Sequence, residues 1–201
     1  MARRSRRGRR SSEKRFARVP SVKVPRSVLD RSCSHKTTFD SGLLIPIFVD
    51  EALPGDTFTV RMEAFARLAP TALKVPIMDN LHLETFFFAI PNRLLWDNWE
   101  RFMGAQDNPT DSIDYLVPQV NAAAGFGPLS MGDYFGLPTG VLNLSPSALW
   151  FRAYNLVYNE WFRDENLQDS VSVLKDDGPD PPGTYTLKRR ENHQQIGRAH
   201  V

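Results

Sequence analysis

The chain has 201 residues, 41% of them hydrophobic and 24% charged, and a formal net charge of +2. No apolar run approaches the ~20 residues that cross a bilayer, and the arginines near the start lead into no apolar stretch of the kind a secretory signal needs. Cys33 is the only cysteine, which excludes an intrachain disulfide and fits synthesis and use in a reducing cytoplasm, or in a particle assembled there.

The small net charge conceals a division. Residues 1–31 hold twelve of the 25 basic residues and only Glu13 and Asp30 of the 23 acidic ones, so this arm is +10 and the remaining 170 residues are −8. An arm so poor in apolar area cannot offset the entropy of ordering its backbone, and it is expected to be extended or disordered. Arg3, Arg4, Arg6, Arg7, Arg9, Arg10, Lys14, Arg15 and Arg18 are its candidate nucleic-acid contacts, because guanidinium forks neutralise phosphates and release counterions without a folded groove. A solvated tail or a localisation signal is the other use of such charge.

Past the arm, Phe39-Asp-Ser-Gly reads as a turn, and Leu43 to Val49 as an edge or bulged strand, since Pro46 cannot donate to a ladder. Pro54-Gly55 has the chemistry of a type II turn. From Thr57 to Arg67 apolar and polar residues alternate, with Phe58, Val60, Met62, Ala64 and Ala66 on one side, which predicts a half-buried strand. A proline-rich connection through Pro70 and Pro76 leads to a strand from Leu81 to Ile90, apolar on both faces at Phe86-Phe87-Phe88.

Asn92 is the expected N-cap of a helix whose one face carries Leu95, Trp96, Trp99, Phe102 and Met103 and which Gly104 ends. Residues 107–140 read as a long ordered excursion anchored by Tyr115, Phe126, Tyr134 and Phe135. Ser145-Pro146 is the expected start of the longest helix, which continues from Leu149 to Leu167. Its only broadly polar stripe is Arg152, Asn155, Asn159 and Arg163, so a helix this apolar is covered on more than one side. A loop over residues 176–183 and a last strand from Tyr185 to Arg190 complete the pattern. The fold class expected is mainly β with inserted helices, a sandwich decorated at its connections.

No residue set points to catalysis. His35, His82, His193 and His200 lack partners at metal-ligand spacing, and Cys33 has no group to orient a dyad with His35. Asp176, Asp177 and Asp180 read as a solvated acidic turn more readily than as a cation loop. No cofactor is expected. The aromatic helix faces, Trp96, Trp99 and Phe102 with Trp150, Phe151, Tyr154, Tyr158, Trp161 and Phe162, are candidates for subunit contacts, although core packing is the default for such stripes.

Four long motifs carry a resemblance: HKTTFDSGLLIPIFVDEALPGDTF from His35, MDNL from Met78, PNRLLWDNWERFMG from Pro91 and FRAYNLVYNEWFRDENLQ from Phe151. Over about residues 21–190 the chain resembles the major capsid proteins of the microviruses, small single-stranded DNA phages, and their gokushovirus branch in particular. The resemblance implies a partial viral jelly roll with large insertions, in which residues 32–190 are the N-terminal part of a longer protein. It also implies many copies closing into a small T=1 icosahedral virion shell around circular single-stranded DNA, together with other virion proteins and without a membrane. No enzymatic residue comes with it. The chain departs from the family after Arg190, and its last six residues, from Ile196, are what read-through of a sequencing adapter encodes, so residues 191–201 are suspected to be non-native. Two rival uses remain: a host ribosomal or nucleoid protein whose arm is its whole function, which the −8 body disfavours, and an enzyme or sugar-binding jelly roll, for which no convergent polar pocket is visible.

Overall fold

The computed structural model describes residues 25–67, 80 and 82–190. The chain divides into two units, residues 1–35 and 36–201. Of the first, the described residues 25–35 are exposed and without regular structure.

Among the described residues of the second unit, the core is built from residues 90–187. Three α-helices lie there, α1 (Trp99–Phe102), α2 (Met131–Tyr134) and α3 (Leu149–Val157), the last running on into a π-helical turn, Tyr158–Phe162. One cluster gathers Val120, Ala122, Phe126, Met131, Ala148, Phe151 and Tyr185; another gathers Leu95, Trp96 and Leu149. Since Leu149 and Phe151 of α3 sit in different clusters, this helix is the wall between them. Each fully buried aromatic or leucine contributes about 1.5–3 kcal/mol relative to exposure.

Several local expectations hold. Gly55 turns the chain at φ +89°, with Asp56 N–H donating to the Leu53 carbonyl at 3.0 Å, and Gly104 follows α1 at φ +92°. The excursion is ordered: Phe126 and Tyr134 are buried, and the Tyr134 hydroxyl donates to the Thr38 carbonyl at 2.9 Å. Gly125 is required there, for it stands at φ +75° and an added Cβ would lie 2.4 Å from the Val141 carbonyl oxygen.

The helix starts differ from expectation. Residues Asn92–Leu94 form only a 3-10 turn that follows Pro91, and the α-helix proper begins at Trp99. The residue that caps α3 is Ala148, not Ser145, because the Pro146 carbonyl is already engaged by Val120 N–H at 2.9 Å and holds that stretch extended. The helix ends at Phe162, five residues before Leu167, where Arg163 turns to an extended conformation.

The mainly β expectation is met only as isolated pairings among the described residues. Residues 118–122 run antiparallel to 144–148 through Gln119 with Ser147 and Ala122 with Leu144, and Val120 pairs in parallel with Asp180. Pro118 and Pro146 lack the N–H a longer ladder needs. The expected first and last strands meet once, Leu43 opposite Arg189, with Leu44 N–H on the Lys188 carbonyl and Arg190 N–H on the Gly42 carbonyl, both 2.9 Å. The half-buried strand expected over 57–67 has no ladder partner among the described residues. Phe58, Val60 and Met62 are exposed, and so, at 94%, is Phe65 on the opposite side. Alternation marks a face that is able to be buried, but the burial itself requires a neighbour.

Candidate functional site

At the centre of the 90–187 module is a buried polar lock built on Arg152. Its place on α3 is inside the wall between the two clusters, with no solvent exposure. All five guanidinium N–H groups find acceptors: Nε on Asp180 Oδ2 at 2.8 Å, Nη1 on the carbonyls of Leu95 at 3.0 Å and Asp176 at 2.8 Å, and Nη2 on Asp180 Oδ1 at 2.7 Å and Asp176 Oδ1 at 3.2 Å. A buried charge is tolerable only when paired and fully hydrogen-bonded, and this one meets both conditions. Burial alone would lower the Arg152 pKa, but the hydrogen bonds and charge of Asp180 outweigh it and raise the value. The Tyr185 hydroxyl also donates to Asp180 Oδ2, and desolvation followed by that carboxylate pushes its pKa upward.

Asp180 is held by its backbone as well. Its N–H donates to the Gln119 carbonyl at 2.7 Å, and its own carbonyl accepts from Asn121 N–H at 3.1 Å. Nearby, Asp177 accepts from Trp96 Nε1 and Asn98 Nδ2, both at 2.7 Å, so that hydrogen bonding, the Trp96 contact foremost, holds its carboxyl below the ordinary 3.8. The expectation of a solvated turn holds only for Asp176, whose side chain is 72% exposed, while Asp177 is half-buried and Asp180 buried. All three are acceptors that fasten residues 176–180 to Arg152 and Trp96.

The rest of the polar stripe continues this role. Asn155 Nδ2 donates to the Ser172 carbonyl at 3.1 Å, while Asn159 exchanges two bonds with Val171, giving from Nδ2 at 2.7 Å and accepting from the backbone N–H at 2.8 Å. Arg163 Nη1 donates to the Gln168 carbonyl at 2.8 Å. Residues 168–176 pair in no ladder among the described residues, so these side chains supply partners for their backbone groups. The sequence marks the stripe but carries no sign of its target. Tyr154 adds another bridge, its hydroxyl donating to the Leu44 carbonyl at 2.9 Å and accepting from Lys188 N–H at 2.8 Å, and burial pushes its pKa up to about 12.

Further along, the end of α3 helps form an apolar groove. Phe88, Ile90 and Leu94 stand on one side and Leu156, Val157 and Trp161 on the other, with Glu160 the only charged residue lining it. Rings link the groove to its rim: Phe88 meets Trp161 edge-on at 5.9 Å and Phe162 at 6.0 Å, Phe86 meets Phe162 at 5.3 Å, and the Arg190 guanidinium lies 5.5 Å from the Phe86 centroid while pairing with Glu84. Trp161 is 63% exposed.

The expected contact residues separate accordingly. Trp96, Phe151, Tyr158 and Phe162 are buried in the chain's own interior. Trp99 and Trp150 are half-buried, against Trp96 and Phe135 respectively, and Tyr154 is half-buried by its two hydrogen bonds. Only Phe102, 42% exposed, and Trp161 offer large surfaces. Arg3, Arg4, Arg6, Arg7, Arg9, Arg10, Lys14, Arg15 and Arg18 lie outside the described residues, as do His193, His200 and residues 191–201. His35, His82 and Cys33 are exposed. Among the described residues no group of three or more His, Cys, Asp or Glu is arranged to hold a metal ion, and no helix is long and apolar enough to cross a membrane.

Comparison with known proteins gives this geometry a context. A family described as Capsid protein (F protein) matches residues 17–199. Capsid protein VP1 of Bdellovibrio phage phiMH2K is 52% identical over 181 residues, 90% of this chain and 34% of the relative. Capsid protein VP1 of Chlamydia phage 1 is 50% identical over 81% of this chain and 28% of its own length, and that of Spiroplasma virus 4 is 33% identical over 76% and 28%. The chain thus spans about a third of the length of the curated relatives it matches.

Proposed function

The chain belongs to the phage capsid F protein family, and from that premise we propose that it is part of a major capsid subunit whose work is structural rather than enzymatic. Copies of the complete subunit assemble into a small T=1 icosahedral shell around a single-stranded DNA genome, in company with other virion proteins, inside the bacterial cytoplasm. The arm of residues 1–31 meets the genome and the body meets other polypeptide. One observation supports this division most directly: among the described residues, 25 large hydrophobic side chains are exposed against 13 buried hydrophobic ones. A self-sufficient soluble domain does not present so much apolar surface, whereas a subunit of an obligate assembly covers it with ~2,000 Å² or more of contact.

The extended residues 43–67 fit the same reading. Their alternating apolar face matches a strand of a jelly roll whose neighbours belong to the rest of the subunit, and the body of residues 32–190 is then the N-terminal part of that sandwich with the 90–187 module as an insertion.

The test is expression of the uninterrupted coat reading frame, with and without residues 2–18. The intact protein is expected to yield closed shells by sedimentation and electron microscopy. Removing the arm is expected to leave the body folded and to flatten the salt dependence of single-stranded DNA binding. With nine basic residues gone and a slope of roughly 0.7 per neutralised phosphate, the logarithmic slope falls by up to about 6. A subunit that stays monomeric at high concentration overturns the coat reading, and unchanged DNA binding overturns the arm's role.

A further inference from the structure

The apolar groove between Phe88 and Trp161 has no occupant among the described residues, and three observations identify the kind of chain that fits it. The first is chemical. Its walls are aliphatic and aromatic, with Glu160 the only charged residue among them, so it selects apolar side chains, with at most a cation at the Glu160 end. The second is positional. The described backbone reaches the groove's rim at Arg190, whose guanidinium lies over Phe86 and pairs with Glu84, and Phe86 and Phe88 both pack on Phe162. Polypeptide that follows Arg190 therefore starts within a few residues' reach of Phe88 and Trp161. The third is length, for the match to this chain occupies about a third of its relatives.

Resting on the reading of this chain as part of a longer coat subunit, we propose that the groove is the seat of an apolar segment of the same polypeptide C-terminal to residue 190, filled when the subunit folds and before copies associate. A second copy is the less suitable occupant. A subunit that kept Trp161, Phe88 and Leu94 open until assembly would carry an adhesive patch through its soluble stage, whereas a segment tethered at the rim arrives at high effective concentration. The wall is prepared for a fixed occupant: Phe162 beneath the rings is fully packed, and the end of α3 is braced by Asn159 and Arg163 on residues 168–171.

The experiment uses the full-length coat polypeptide at concentrations below assembly. Trp161→Cys and Leu94→Cys, one from each wall, are compared with Glu165→Cys, an exposed position just past the helix, by maleimide labelling read peptide by peptide. Both groove cysteines are expected to label at least about tenfold more slowly than the reference, as protected sites do, and to change little when shells form. Labelling as fast as the reference in the unassembled subunit overturns the proposal: if protection then comes with assembly, a second copy is the occupant, and if it never comes, the surface is free. Shell formation is scored on the same protein by electron microscopy. Protection without shells sinks the coat reading while leaving the seat intact, and shells without protection in the free subunit do the reverse.

Discussion

The extended residues 43–67 are richer in apolar residues than the 90–187 module, 14 of 25 against 42 of 98, and the two have opposite fates. In the module every guanidinium N–H of Arg152 is answered, two hydrophobic clusters meet across α3, and in the irregular residues 168–176 backbone groups of Gln168, Val171, Ser172 and Asp176 are taken by side chains. In the extended segment Phe58, Val60, Met62 and Phe65 remain in solvent. The difference is not hydrophobicity but return: the module's chain comes back on itself through loops that supply acceptors, whereas past the Leu43 and Leu44 contacts the extended segment has no ladder partner among the described residues. One region is stabilised by folding, the other by whatever folds onto it.

The sharpest way to break the contrast is to unlock the module. Arg152→Met strands the Asp180 carboxylate in the interior and is expected to cost about 3–5 kcal/mol, read as a drop in the urea midpoint. Pairing it with Asp180→Leu should be milder than Arg152→Met alone, since an apolar pair leaves no uncompensated charge. A double variant as damaged as the single one would show that the lock does not act as a unit.

A smaller effect is expected at Tyr154, which ties the module to Leu44 and Lys188. Its phenol titrates at about 12 instead of 10.0, so the folded state favours the neutral form. That share of stability is complete below pH 10 and is lost as pH rises through about 12. Tyr154→Phe is expected to cost about 1 kcal/mol at neutral pH and to remove the phase near pH 12 from the tyrosinate absorbance titration, leaving the still more alkaline Tyr185 phase. Persistence of that phase in the variant would assign it to another tyrosine.

The smallest effect, and the one that sharpens the comparison most, belongs to Val60→Ser. In this chain it should shift stability by no more than about 0.5 kcal/mol, as surface substitutions do. In the full-length subunit, where the proposed neighbour covers it, the same change should cost about 1–3 kcal/mol or abolish shell formation. Equal effects in the two proteins would mean that Val60 stays in water throughout.

Much of this was legible along the chain, for reasons that are local. Charge is additive, so the +10 arm and the −8 body follow from counting. Gly55 and Gly104 turn where expected because positive φ is a property of one residue, and α3 lies where proline-free aromatic sequence begins. The four long motifs identified the family by themselves. The site was less legible. Arg152, Asn155, Asn159 and Arg163 are visible as a stripe, yet helical spacing states only that they share a face, not that residues 168–180 lie along it. Asp180 looks like a loop residue, and its burial depends on Gln119, Asn121, Arg152 and Tyr185, which come from three separate stretches of sequence.

The same distinction decides the aromatics. Sequence alone determined that Trp96, Phe151, Phe162 and Trp161 are large, apolar and helical or next to a helix. Only the tertiary structure decided that the first three are interior while Trp161 is left facing out, because burial is a relation between surfaces and no residue carries it alone. Composition sets how much apolar area a chain must hide; the path of the backbone sets which part it can hide by itself.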